Sequence, residues 1–151
     1  MPKTISKDLP LAELTLRRYE KPYSTSKREL IRKLCLSIGL LQPGDSRDII
    51  VDILQVLLNS KQNKKLLSSE EIRDRVVQLR KKSKLPLKGI ASSNIRRQLK
   101  RLKDLFIIEK VDNNYRITDF EDLEIIFNKK IKDFYLKNIL ERVEEYFKQV
   151  K

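Results

Sequence analysis

The chain has 151 residues, enough for one domain with a hydrophobic core of its own and an added helix or arm. It is 40% hydrophobic and 36% charged with only 3 glycines and 5 prolines, which excludes disorder and an all-β fold and makes helix the dominant element. A single cysteine, Cys35, excludes an internal disulfide, the lack of histidine removes the obvious zinc ligands, and a formal charge of +13 calls for a polyanionic partner.

Residues 1–25 read as an arm or short helix, with Leu9, Leu11, Leu14 and Leu16 between Pro10 and Pro22 and a basic pair, Arg17 and Arg18. Ser26 is the expected N-cap of a first helix whose apolar residues Leu30, Ile31, Leu34, Cys35, Ile38 and Leu41 recur at helical spacing until Gln42-Pro43-Gly44 stops it. Asp45 or Ser46 should cap a second helix with a broad apolar face from Ile49 to Leu58. Ser68 and Glu71 have capping-box spacing in front of Ile72, Val76, Val77 and Leu79, so a third helix starts there and ends before Pro86. Ser92 or Ser93 can accept the first free N–H groups of a fourth, about residues 92–104, whose core stripe is Ile95, Leu99 and Leu102. Phe106-Ile107-Ile108 and Tyr115-Arg116-Ile117-Thr118 then predict a β-hairpin that turns at Val111 to Asn114.

From Asp119 or Phe120 to the end the pattern predicts one long amphipathic helix. In its second half Leu136, Leu140, Val143, Phe147 and Val150 are spaced 4, 3, 4, 3, the heptad pattern of a seam that meets another helix. The first half is expected to pack on its own domain and the seam on a second copy, giving a homodimer. The resulting division is 1–25 as arm, 26–118 as the main domain and 119–151 as the C-terminal helix. No run approaches the ~20 apolar residues that span a bilayer, nor does the N-terminus carry an apolar stretch of signal length, so no membrane contact and a cytoplasmic, nucleoid-associated location are expected.

The charge is unevenly spread. Residues 61–116 carry 17 Lys/Arg against 6 Asp/Glu, a net +11, and between Lys84 and Lys103 there are seven basic residues and no acidic one. A surface that merely keeps the chain soluble has no need of such a block.

Helices in this order, a basic last helix and a hairpin resemble the winged helix-turn-helix superfamily of transcription-regulator type. The likeness rests on Ser68 to Leu79, on Ile90-Ala91-Ser92-Ser93-Asn94-Ile95-Arg96-Arg97-Gln98-Leu99-Lys100-Arg101-Leu102, on Leu105 to Lys110 and on Tyr115 to Thr118. These segments span about a third of the chain. Phe106 stands where that family often has glycine, and the stretch between the third and fourth helices exceeds the family's usual turn of about 3–4 residues. The resemblance implies a mainly α fold, a three-helix core plus two-stranded wing, here with an extra N-terminal helix and the long C-terminal one. It also implies double-stranded DNA binding by a transcriptional regulator that acts as a dimer, with the fourth helix in the major groove.

An α-helix fits that groove when its solvent face offers phosphate binders at the edges and base-edge donors in the middle. With Ile95, Leu99 and Leu102 turned inward, Ser93, Asn94, Arg96, Arg97, Lys100, Arg101 and Lys103 remain around the outer arc. Arg97 suits guanine and Asn94 or Gln98 the adenine edge, while Ser92, Ser93 and the helix N-terminus suit a phosphate. Lys81, Lys82, Lys84 and Lys88 add phosphate contacts, and Lys110, Asn113, Asn114 and Arg116 would reach the adjacent backbone or minor groove as wings of the resembled family do. The same charge also serves a non-specific chromosomal architectural protein, and winged helices also act as protein or RNA interaction modules. Enzymatic chemistry has no footing here: there is no histidine, no nucleotide-cradling glycine loop, no nucleophile motif, and no cofactor or metal is expected.

Overall fold

A computed structural model describes residues 8–151. The fold is mainly helical with one two-stranded antiparallel sheet. In chain order come α1 (Lys27–Ser37), α2 (Ile49–Lys61), α3 (Ser69–Lys82), α4 (Ser92–Asp104), β1 (Ile108–Val111) and β2 (Asn114–Ile117). A 3-10 turn (Thr118–Phe120) follows, then α5 (Leu123–Ile126), a π-wound segment (Phe127–Leu136) and α6 (Lys137–Gln149), which share helical backbone across their junctions.

α2 is the central element. Ile49, Ile50, Val51, Ile53, Leu54, Val56 and Leu57 are buried and with Asp52 surround its whole circumference, and it packs on α1, α3, α4 and β2. Each such apolar side chain contributes roughly 1.5–3 kcal/mol by leaving water. Asp52 lies among them, fully buried, and is matched rather than abandoned. It accepts from Arg28 of α1 at 3.2 Å and from Arg80 of α3, while Asp48 receives the same two guanidinium groups at 2.9 and 3.3 Å. The quartet is neutral and ties three helices together. Burial opposes ionisation of Asp48, but hydrogen bonding from Arg28 and the charges of both arginines hold its carboxyl below the ordinary value.

Helix starts follow the capping rules in part. The Ser26 hydroxyl accepts from the Glu29 N–H, and Ser68 and Glu71 form the full reciprocal box. Accepting the Ser68 N–H holds the Glu71 carboxyl below its ordinary value. At α2 the expectation fails: the cap position is Asp48, not Asp45 or Ser46, and its carboxylate serves the arginines instead of the helix. Asp45 closes the preceding turn by accepting from the Gln42 N–H at 3.2 Å.

α1 ends at Ser37 rather than Leu41, because Gly39 turns left-handed (φ +79°) and the N–H groups of Leu40 and Leu41 return to the Cys35 carbonyl. The arm explains the glycine. A Cβ on Gly39 would stand 2.6 Å from Thr15, so only glycine lets the arm cross here. Arg17 follows, donating to the Leu36 and Leu41 carbonyls at 2.8 and 3.2 Å and so closing the open end of α1. Residues 9–25 contain no helix, so the arm is an extended strap.

The hairpin is displaced from its expected bounds. β1 starts at Ile108 and runs on to Val111, β2 begins at Asn114, and only Asp112 and Asn113 turn, both with positive φ, as two-residue hairpins prefer. Ile108 pairs with Ile117, and Leu67 exchanges two backbone hydrogen bonds with Tyr115, which ties the hairpin to the chain entering α3. Phe106 is not a strand residue. It takes the left-handed position (φ +66°) that closes α4, its N–H bonding the Lys103 carbonyl. That is the conformation glycine adopts most readily.

Left-handed Asp119 and Phe120 delay the C-terminal helix to Leu123. Its π-wound part is anchored by Ile131, by the ring of Phe106 against Phe134 and Tyr135 (centroids 6.1 and 5.5 Å), and by the Tyr135 hydroxyl, which bonds the backbone of Glu13 at both N–H and carbonyl. Beyond it α6 has no buried residue. Among the described residues no helix is long and apolar enough to cross a membrane.

Candidate nucleic-acid interface

α4 buries Ile95, Leu99 and Leu102 completely and exposes Arg96, Arg97, Lys100 and Lys103. A greasy edge turned inward and a cationic edge turned outward is what the spacing predicts. The cap is different: Ala91 holds the N-cap position without a side-chain bond, and Ser92 and Ser93 are the first helical residues. Ser92 donates to the Glu70 carboxylate at 2.9 Å, so its hydroxyl is engaged and an acid already stands at that end of the helix. Ser93 is exposed.

The outward residues divide into two sets. Among the described residues Arg96, Arg97 and Lys103 have no carboxylate partner, whereas Lys100 pairs with Asp104 one turn on at 2.8 Å. The Lys100 pair is solvent-exposed and screened, worth about 0.3–0.5 kcal/mol, and opens readily to a stronger anion. Asn94, Gln98 and Arg101 are turned to internal tasks. The half-buried Asn94 amide donates to the Gly89 carbonyl at 2.8 Å and its oxygen accepts from Gln98 at 3.1 Å. Arg101, half-buried, donates to Gln98 at 2.8 Å and leans toward the Gly39 carbonyl. Asn94 and Gln98, expected to read bases, and Arg101, expected on the outer arc, are thus half-buried and hydrogen-bonded along one flank of α4, where Asn94 reaches Gly89 and Arg101 leans toward Gly39.

The long connection between α3 and α4 is held by three side chains from the helices beside it. Arg80 donates to the Pro86 carbonyl and Arg73 to the Ile90 carbonyl, each at 2.6 Å, and Asn94 holds Gly89. Gly89 has φ +81°, and a Cβ there would crowd the Asn94 amide at 3.1 Å. Lys84 and Lys88 stand exposed on this pinned segment, Lys84 in the left-handed position after α3. Lys88 shares a hollow with Arg47, a cation of the turn before α2 that lies outside the basic segment and so escaped the charge count.

On the hairpin, Lys110 is exposed above the Tyr115 ring (5.6 Å) and Asn113 sits at the turn, while Asn114 is half-buried in β2. Arg116 is not a free cation. Glu109 holds it at 2.7 Å, Asp119 lies at 3.6 Å, and its guanidinium rests on Phe120. The cross-strand pair Glu109 and Arg116 thus braces the hairpin.

Burial pushes the Cys35 thiol up to about 12, leaving a packing residue rather than a nucleophile. Among the described residues no group of three His, Cys, Asp or Glu side chains is placed to hold a metal ion. Compared with protein-family models, with curated proteins and with solved structures, the chain matches none.

Proposed function

We propose that the chain is a double-stranded DNA-binding protein of winged helix-turn-helix architecture, with α4 entering the major groove and the β1–β2 hairpin as the wing, and that it acts as a transcriptional regulator. One observation carries this reading. Arg96, Arg97 and Lys103 project from a helix whose opposite face is wholly buried, and no carboxylate of the described residues neutralises them. Exposed Lys84, Lys88 and Lys110 extend the cationic surface to either side of α4 in sequence. Of the side chains suited to bases, Arg97 is the most available, since its contact with Asn94 is long, at 3.3 Å.

A second reading is favoured by the commitment of Asn94 and Gln98 to internal bonds: a non-specific architectural protein that contacts phosphates alone. Both readings are tested by one titration. Gel-shift affinities for duplex DNA, single-stranded DNA and RNA of equal length, across a salt series, should favour the duplex and fall by about 0.9 in log K per log salt for each phosphate neutralised. Excess bulk DNA separates a regulator, whose preferred site survives competition, from an architectural protein, whose binding does not. A flat salt response, or preference for RNA, overturns the DNA reading.

A further inference from the structure

α6 is a thirteen-residue helix without a buried residue, whose main packing among the helices and strands is on the π-wound segment before it. Although α6 continues the helical backbone of the segment before it, most helical stability in proteins comes from packing an amphipathic face, and the apolar side of α6 has no such cover among the described residues. That side is well formed: Leu140 is 58% exposed, Val143 46%, Tyr146 69% and Phe147 77%, all on one stripe with Leu136 and Ile139. The arm prolongs it. Leu9 and Leu11 flank a groove whose other wall is Ile139, Val143 and Tyr146. Together these side chains offer roughly 800 Å² per copy, about one side of a standard stable interface.

We infer that this surface is covered by the same surface of a second copy, the two α6 helices lying antiparallel with Leu140 opposite the partner's Val143. The heptad frame puts Leu136, Leu140, Val143 and Phe147 in the seam, Ile139 and Tyr146 on the edge beside the arm, and Lys137 and Glu144 on the other edge. In an antiparallel pair each edge meets its own kind. With Leu140 on Val143, Leu136 falls on the partner's Phe147 and Ile139 on the partner's Tyr146, next to Leu9 and Leu11. On the far edge Lys137 then meets the partner's Glu144, and the two-fold axis repeats every contact.

Charge complementarity selects this arrangement. A parallel pair sets Ile139 against Glu144, with no ion pair and an acid against an apolar edge. Sliding the antiparallel pair one heptad, to bring Val143 onto Phe147, puts Glu144 against its own copy. Lys137 has no carboxylate partner among the described residues, and Glu144 has only its own Lys148 at 3.7 Å. Both are therefore available across the axis.

The test uses the full chain without nucleic acid, so its outcome is separate from that of the DNA titration. Sedimentation through the micromolar range should show a dimer, and Leu140→Glu with Phe147→Glu should give a monomer that keeps the cooperative melt of the main domain. Lys137→Glu should weaken association about tenfold, and adding Glu144→Lys to it should restore the affinity, which a mere loss of helix propensity would not do. Under oxidation, Leu136→Cys subunits should cross-link to Phe147→Cys subunits and not to themselves, the native Cys35 being fully buried. A monomer at every concentration, a dimer that survives the double glutamate variant, failure of the second charge reversal to restore the first, or self-linking at position 136 overturns the inference.

Discussion

Arg80 and Asp52 meet in the interior, a guanidinium 4% exposed against a carboxylate fully out of solvent, and the same arginine also holds the Pro86 carbonyl at 2.6 Å. One side chain thus joins the core to the segment that delivers α4. Breaking such a pair leaves a buried charge short of a partner, at a cost of roughly 3–5 kcal/mol. Arg80→Met should lower Tm by about 10 °C, measured by circular dichroism. Arg116→Ala, whose ion pairs are partly solvated, should cost no more than about 1 kcal/mol. Equal melts for wild type and Arg80→Met would sink the quartet as a source of stability.

Acid should weaken the fold through Asp48 and Glu71. Both carboxyls are held below their ordinary values of 3.8 and 4.5, so the folded state binds their protons less readily than the unfolded chain. Their contribution is complete above those values and is lost as pH falls through them toward the folded pKa. Urea midpoints at pH 7 and pH 5 should nearly agree, with a clear fall by pH 3. Asp48→Asn should flatten that fall, and an unchanged pH profile in that variant would contradict the assignment.

Local rules made some of these features readable in the residues and left others hidden. Ser26, the Ser68–Glu71 box and the stripe of Ile95, Leu99 and Leu102 obey periodicities written within a few positions, and the structure places them as the spacing predicts. Asp48 could not be read as the α2 cap position, because what occupies its carboxylate is Arg28 and Arg80, 20 and 32 residues away. The signal available was Asp52, one acid in the apolar run Ile49-Ile50-Val51-Asp52-Ile53-Leu54, which demands a buried cation. Asn94 and Gln98 looked like free outer residues since helical phase alone does not reveal a loop folded beside the helix. Phe106 looked like a strand residue because aromatic, β-prone chains seldom occupy the left-handed region it adopts.

Substitutions on the cationic face should separate by role. Lys84→Ala and Lys103→Ala are expected to weaken every duplex alike and to reduce the salt slope by about 0.9 each if they neutralise a phosphate. Arg97→Ala should cost roughly 1–3 kcal/mol on a preferred site and less on bulk DNA. Arg101→Ala should leave affinity close to wild type, since that side chain faces Gln98 and Gly39. Filter-binding curves for the four variants check all of this. An Arg101 effect as large as that of Arg97 would contradict the proposed binding face of α4.

Gly89→Ala tests the connection before α4. Its φ of +81° and a Cβ 3.1 Å from the Asn94 amide predict a loss of about 1–3 kcal/mol by chemical denaturation, far more than a surface glycine would show. Asn94→Ala should cost about 1 kcal/mol by itself. Because both act on one contact, the double variant should fall short of the sum, and strict additivity would show the contact to be unimportant.

Three carbonyls of that connection, at Pro86, Gly89 and Ile90, are gripped by side chains anchored in neighbouring helices. The entropy of arranging nine residues in front of α4 is therefore surrendered when the polypeptide collapses, not when it encounters a ligand. Capture should then proceed at an electrostatically steered, near-diffusional rate in a single kinetic phase, without the slow isomerisation expected of a segment that must first find its shape.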